Sequence, residues 1–244
     1  MNRYYYDLHV HSCLSPCGDE DQTPSNIAGM AKLCGLNIVA LTDHNTTKNC
    51  PAFFAAAKRY GIIPVAGMEL TTSEDIHVVC LFETLEDAAL FDSFAASRRS
   101  GVKNRPEIFG RQTVLDENDT LLYEEEDLLL YATDISIDEI PSLIKDFRGI
   151  CYPAHIDRDA NGIIAVLGDI PPDTEFTLFE LHSGEKIDEF SEKYGIPKDR
   201  FIISSDAHYL TDLRDREYYF ELDDEPYSSA RVREELFKML RRSK

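Results

Sequence analysis

Tyr6-Asp7-Leu8-His9-Val10-His11 decides how this chain is read. The run has the pattern of a short strand that ends in two histidines. Side chains alternate across a strand, so His9 and His11 are expected on one face and Leu8 and Val10 on the other. Two imidazoles roughly 6–7 Å apart along one face reach one metal ion or two adjacent ones. A lone His-x-His pair is equally two polar residues at a strand end. It gains meaning from four later strand ends that carry residues of the same kind: Asp43-His44, Glu69, His155 and Asp206-Ala207-His208.

The rest of the chain supplies the frame for those ends. Near-continuous apolar runs at 37–43, 62–70, 76–82, 149–155, 176–182 and 201–208 join 4–9 as strands, with 218–222 as a short edge strand. Helical patterns fill the intervals. The first runs over 24–35, with Thr23 as N-cap, Pro24 at the first helical position and Gly35 as its stop. Further helices are expected at 51–59, 186–194 and 228–242. Strand and helix in alternation argue for an α/β fold built on parallel βαβ units. The rhythm breaks at 84–148. That stretch reads as a helix over 85–100, a hairpin pairing 112–115 with 120–123, a charge run at 124–127 and a helix over 136–147 capped by Ser136 and Glu139. The whole chain, 1–244, reads as one domain, with 84–148 as an inserted α+β lid segment.

Composition bounds the function. The 244 residues are 43% hydrophobic, enough for a full core. No apolar run is long enough to span a bilayer, and the N-terminal residues lack the apolar stretch of a leader, so no membrane is expected and a cytoplasmic location is. Lys+Arg is 25 against Asp+Glu 45, a net charge of −20, and that field argues against long nucleic acid. The six cysteines include no C-x-x-C pair and read as reduced thiols, with Cys34, Cys80 and Cys151 in apolar surroundings. Cys13 and Cys17 flank the histidine pair, but thiolate ligation is the weaker reading there.

Taken together, the candidates are His9, His11, Asp19, Asp43, His44, Glu69, His77, His155, Asp206 and His208. Histidine and carboxylate without cysteine suit zinc, iron or manganese. His182, the remaining histidine, reads as structural. The order of the pieces resembles the PHP (polymerase and histidinol phosphatase) family. His9-Val10-His11 looks like its first motif, Thr42-Asp43-His44-Asn45 its second, and Gly67-Met68-Glu69 its third. Pro153-Ala154-His155 looks like the fourth and Ser205-Asp206-Ala207-His208 the last.

The resemblance implies a distorted (β/α)7 barrel, with the insertion between the fourth and fifth barrel strands, and two or three divalent ions. It implies His9, His11, Glu69 and Asp206 as the deepest ligands, with Glu69 bridging. His77 and His155 would complete a second position, and Asp19, His44 and His208 a third. Glu20 and Asp21 stay open as alternatives to Asp19, and Asp43 is expected to orient a histidine from behind. The implied activity is hydrolysis of a small phosphomonoester, a nucleotide or related metabolite, by a metal-activated water. A nuclease of short oligonucleotides, a histidinol-phosphate-type phosphatase and a non-catalytic module are the alternatives. Arg158 and Asn45, and Arg105 with Arg111 in the insertion, are the expected substrate contacts.

Overall fold

The computed structural model describes residues 1–241. β1 (Asn2–Val10), β2 (Ile38–Leu41) and β3 (Ile63–Thr71) run parallel, with Tyr6 opposite Ile38 and Ile38 opposite Ile63. The crossovers are α1 (Pro24–Leu33) and α2 (Cys50–Tyr60). α1 starts where the Thr23 side chain accepts the Asn26 N–H. α2 stops at Gly61, whose φ of 71° is the left-handed conformation that glycine takes without strain.

β4 (His77–Phe82) departs from the expected βαβ rhythm. It lies antiparallel to β3, with Thr71 opposite His77 and Glu69 opposite Val79. The reason is chain length: residues 72–76 form a tight connection, whereas a parallel crossover needs a dozen residues or more. His77 therefore stands at the start of its strand, and that start lies at the same rim as the end of β3.

α3 (Leu85–Ser97) follows, then α4 (Pro106–Phe109) and a hairpin of β5 (Thr113–Leu115) and β6 (Leu121–Glu124). α5 (Ile140–Asp146) leads into β7 (Ile150–Pro153), which pairs antiparallel with β4. Ala88, Phe91 and Ala95 of α3 and Ile140 and Ile144 of α5 enter the main core. The helices at both ends of 84–148 therefore belong to the body, and the irregular excursion is 98–134. α5 begins four residues later than its sequence signal, because the Ser136 hydroxyl donates to Glu74 Oε1 at 2.9 Å. Only the other half of the capping box forms, from Ser136 N–H to the Glu139 carboxylate.

The remaining elements are α6 (Ile163–Leu167), β8 (Phe179–Leu181), α7 (Ile187–Tyr194), β9 (Phe201–Ile203), β10 (Tyr219–Leu222) and α8 (Ser229–Leu240). Residue 242, in the last expected helix, lies outside the described residues. The main sheet has the order β10-β1-β2-β3-β4-β7, and β8 and β9 form a separate parallel pair. That pair is stitched to the chain just beyond β7 and β1: Ile156 N–H donates to the Glu180 carbonyl at 2.9 Å, and His11 N–H to the Ala207 carbonyl at 3.0 Å. The result is a curled α/β sheet. No helix among the described residues is long and apolar enough to cross a membrane.

The sheet has two apolar faces. One packs on α1, α2, α3 and α5 through Val39, Leu41, Met68, Cys80 and their neighbours. The other holds Leu8, Ile38, Ala40, Val65, Leu81 and Tyr152, and is closed by Val232, Leu236, Phe237 and Leu240 of α8. Leu8 and Val10 do not share a face as expected: the β1 register shifts between Asp7 and Val10, and the two residues enter different layers. Gly67 sits on the inner face, where a Cβ would lie 2.7 Å from Thr42 Cγ2 and 2.8 Å from Leu81 Cδ2. Gly67→Ala should therefore lower stability by about 1–3 kcal/mol. Urea unfolding followed by circular dichroism measures it, and an unchanged midpoint would refute the close packing.

Candidate metal centre

The inner face is apolar towards α8 and polar at the opposite rim. Glu69 lies at the middle of that rim, almost fully buried. Five histidine rings reach its carboxylate. His9, His77 and His155 stand 3.3, 2.9 and 3.2 Å from Oε1, and His11 and His44 stand 3.2 and 3.1 Å from Oε2. Asp206 Oδ1 completes one end, 3.2 Å from His9 Nε2 and 3.0 Å from His11 Nε2. The Nε2 atoms of His9 and His11 are themselves 3.1 Å apart, so the pair does converge on one point.

Backbone turns aim several of these side chains inward. His155 and Asp206 have φ of 30° and 52°, and Asn45, next to His44, has 52°. Left-handed φ is costly for residues other than glycine, and such strain gathers at functional sites. Here it lets the chain leave a strand end and turn a side chain back over the rim.

A second ring of groups fixes the imidazoles. His9 Nδ1–H donates to Glu180 Oε2 at 2.9 Å, which leaves Nε2 facing the centre. The same carboxylate accepts His155 N–H at 3.0 Å. His11 Nδ1–H donates to Ser15 Oγ at 2.9 Å, and Ser15 donates on to Asp43 Oδ1 at 2.7 Å. Asp43 thus acts on His11 through a serine and is held by Ser12 as well. His208 Nδ1–H donates to the Asp206 carbonyl at 2.8 Å, which again frees Nε2.

The donor set fits divalent cations. Three overlapping groups have ligand atoms within 4.8 Å of one another: His9-His11-Glu69-Asp206, His44-Glu69-His77 and His11-His44-His208. The Nδ1 atom of His44, 3.1 Å from Glu69 Oε2, is buried without a hydrogen bond, an arrangement that costs free energy unless a ligand uses it. Burial disfavours a proton on His9, but the carboxylates of Glu180, Asp206 and Glu69 outweigh it and hold the ring well above its ordinary pKa. His11 is carried to about 9, its burial again outweighed, by Asp206 and Glu69. Burial pushes His208 down to about 4, and His44 also falls well below its usual value. Burial alone would raise Glu69, but the surrounding histidines hold it well below the carboxylate range.

Other expected site residues lie elsewhere. Asp19 donates its backbone N–H to the His208 carbonyl at 2.9 Å, but its carboxylate accepts from Asp21 N–H and joins no ligand group. Asn45 corrects the sequence reading: its amide donates to the carbonyls of Leu129 and Tyr131 and accepts Thr71 N–H, which leaves it no donor for a substrate. It ties the 98–134 excursion to the rim. Arg111 is paired with Glu124 at 2.6 Å and Arg105 lies over the Phe109 ring, so neither makes a hydrogen bond or ion pair with the cluster. Arg158 does reach it, by an ion pair with Asp206. His182 is outside the ligand groups; its Nδ1 accepts from Arg158 Nη2 at 3.1 Å and lies 3.4 Å from Arg214 Nη2.

Glu180, Ser15 and Arg214 were not singled out from the sequence. Glu180 did leave a signal, a single carboxylate inside the apolar run Phe179-Glu180-Leu181.

Residues 7–170 match the model of the PHP domain. The chain belongs to the PHP-domain family. This PHP domain is also similar, at 37% identity over 79 residues, to a 5'-3' exoribonuclease of Haemophilus influenzae; the match covers 31% of this chain and 28% of that one. The chain spans less than half the length of the curated relatives it matches. Among solved structures, the lesion-specific endonuclease Q of Pyrococcus furiosus superposes with a TM-score of 0.65 at 18% identity, over 97% of this chain and 55% of that one. An endonuclease Q complex with a 27-mer duplex bearing an abasic lesion at the active site gives 0.63 at 18% identity, over 97% and 56%. A candidate metal-dependent phosphoesterase of Bifidobacterium adolescentis gives 0.54 at 17%, over 84% and 88%. Identities this low establish likeness of fold alone.

Two outcomes follow for metal binding. A histidine must be neutral to bind a metal, and His11 of the metal-free protein keeps its proton up to about pH 9. Binding below that pH must release protons, so apparent affinity should rise with pH and level off above about 9; calorimetry in buffers of different ionisation enthalpy reads the release. Affinity independent of pH from 6 to 8 would contradict the protonated pair. Glu180→Gln should weaken binding about 10–100-fold with the fold retained, checked by metal titration beside circular dichroism.

Proposed function

We propose that this PHP domain is a metal-dependent phosphoesterase, with two or three divalent ions, zinc, iron or manganese, at the Glu69 rim. The observation that carries the reading is the Glu69 carboxylate enclosed by five histidines beside Asp206. His9, His11, Glu69 and Asp206 would hold the first ion. His44 and His77, with His155, would share Glu69 for a second, and His11, His44 and His208 would take a third. Such ions supply Lewis-acid chemistry, acidifying a water and neutralising phosphate oxygens. The chain's own residues supply the rest. Glu180 and Ser15 lock the ring orientations of His9 and His11. Arg158 places a guanidinium against Asp206, where phosphate oxygens would lie, and Arg214 stands behind it. The curled sheet with its β8–β9 pair reads as a distorted seven-stranded barrel, and the 98–134 excursion as the wall of its mouth.

A small phosphomonoester, a nucleotide or related metabolite, is the substrate we favour. The net charge of −20 confines attraction for phosphate to the cation-filled rim, and Arg105, Arg111 and Lys103 of the excursion are spent on an aromatic ring and acidic partners. Charge does not exclude nucleic acid, however, as the sequence reading had it: the endonuclease Q complex holds duplex DNA on the same kind of fold. Nuclease action is therefore the second reading, favoured also by the exoribonuclease relative. A panel of phosphorylated metabolites, 5'-phosphorylated oligonucleotides and abasic duplex, assayed with each metal, decides between them. Turnover of the polymers with none of any small phosphoester would reverse the preference.

Asp206→Asn should cut turnover by orders of magnitude while circular dichroism stays unchanged, because a ligand and the Arg158 anchor are lost together. Activity above about a tenth of the parent's would refute the role. Arg158→Ala should raise KM more than it lowers kcat, as expected of a group that binds phosphate equally in ground and transition states.

A further inference from the structure

Cys80 and Cys151 are free thiols directly opposite each other on β4 and β7. The pairing pattern shows which kind of pair they form. Ala154 N–H donates to the His77 carbonyl at 3.0 Å, so His77 and Ala154 occupy a hydrogen-bonded position. The next pair, Val78 opposite Pro153, contains a proline with no N–H to give. Positions alternate along an antiparallel ladder, so Val79–Tyr152 is hydrogen-bonded and Cys80–Cys151 is not. In a pair without hydrogen bonds the Cα atoms approach to about 4.5 Å, inside the 4.4–6.8 Å span of disulfides. Both side chains lie on the same sheet face, packed in the same core layer beneath α3 and α5.

A route to the pair also exists. Cys151, Gly149, Ile144, Phe176 and Arg148 line a cavity of about 880 Å³ beside the N-terminal end of β7, whereas Cys80 is fully buried. We infer that Cys80 and Cys151 form a latent cross-strand disulfide site, closed by peroxide entering from the cavity at Cys151. The Cys151 sulfur attacks peroxide; the O–O bond breaks, and a sulfenic acid and one water result. The Cys80 sulfur then attacks Cys151 Sγ; the S–S bond forms, the S–O bond breaks, and a second water leaves. Two thiols are oxidised and one peroxide is reduced to two waters. Burial raises both thiols above their ordinary range, so the reaction is slow at neutral pH. The bond ties together the two ends of residues 81–150, and with them the excursion anchored beside His44.

The test exposes the native protein to hydrogen peroxide for hours, quenches with an alkylating agent under denaturing conditions, and maps peptides by mass spectrometry. The expected result is a peptide joining Cys80 to Cys151 with loss of two hydrogens, and a higher thermal midpoint that reverts on reduction. Cys151→Ser, the more exposed position and so the variant that keeps the fold, should show neither. The inference is overturned if both thiols remain alkylatable, if Cys151 stops at sulfinic acid, or if either sulfur is found joined to Cys34 or Cys50 instead.

Discussion

A buried carboxylate is tolerable only if its charge is answered within a few ångströms, and that constraint on Glu69 shapes the rim of the sheet. Its strand cannot supply the answer, because besides Glu69 β3 carries only apolar residues, glycine and Thr71, none of them cationic. The imidazoles come instead from β1, from the turn after β2, from the start of β4 and from the turn after β7. Each source must end at the same height for the rings to meet. The reversal of β4 achieves this for His77 with a five-residue connection. The left-handed turns at His155 and Asp206 do it for the two side chains that follow strands. Strain and buried charge are therefore local costs of one arrangement, and the apolar layers on both faces of the sheet carry them.

The interior divides by height. Towards α8 it is filled with Leu8, Ile38, Val65, Leu81 and Tyr152, and α8 closes it with Val232, Leu236 and Phe237. At the other rim the same inner face presents His9, Glu69, His77 and Glu180. A low-polarity floor beneath a charged rim strengthens every electrostatic interaction above it. It also explains why the groups behind the histidines matter. With no water below them, Glu180, Ser15 and Asp43 are the means of choosing which ring nitrogen keeps its proton.

The excursion at 98–134 is bound to the body at several points, among them Asn49, which donates to the Thr113 carbonyl and accepts Leu115 N–H, and Asn45 at the rim. Asn45 gives both amide hydrogens to its backbone and takes one from Thr71. Arg99 donates to the Asn45 carbonyl from the other side. The residue next to His44 thus works as a strut, and the excursion's position is coupled to that of His44. Lys103 and Arg111 of the excursion are matched by the acids of its own charge run, Glu124 to Asp127. Arg158 and Arg214 converge on His182 at the opposite side of the rim.

What the sequence determined by itself is the list of strands and most of the side chains that gather around Glu69. Both are written in short-range patterns. Apolar runs mark strands buried on both faces, Thr23-Pro24 and Gly61 mark helix ends, and histidines at strand ends stand out because such positions seldom hold them by chance. Asp43's place behind a histidine was legible from its motif, although the serine between them was not. Only the tertiary structure decided the direction of β4, the bulge that separates Leu8 from Val10, and the part played by Glu180. It also decided that Asn45 serves the backbone and that Asp19 turns its carboxylate to Asp21. Each of these depends on a partner far away in the chain: Glu180 needs His9, Asn45 needs Leu129, and β4 takes its direction from pairing on both edges. A local pattern states what a residue is able to do, and folding decides which neighbour it does it with.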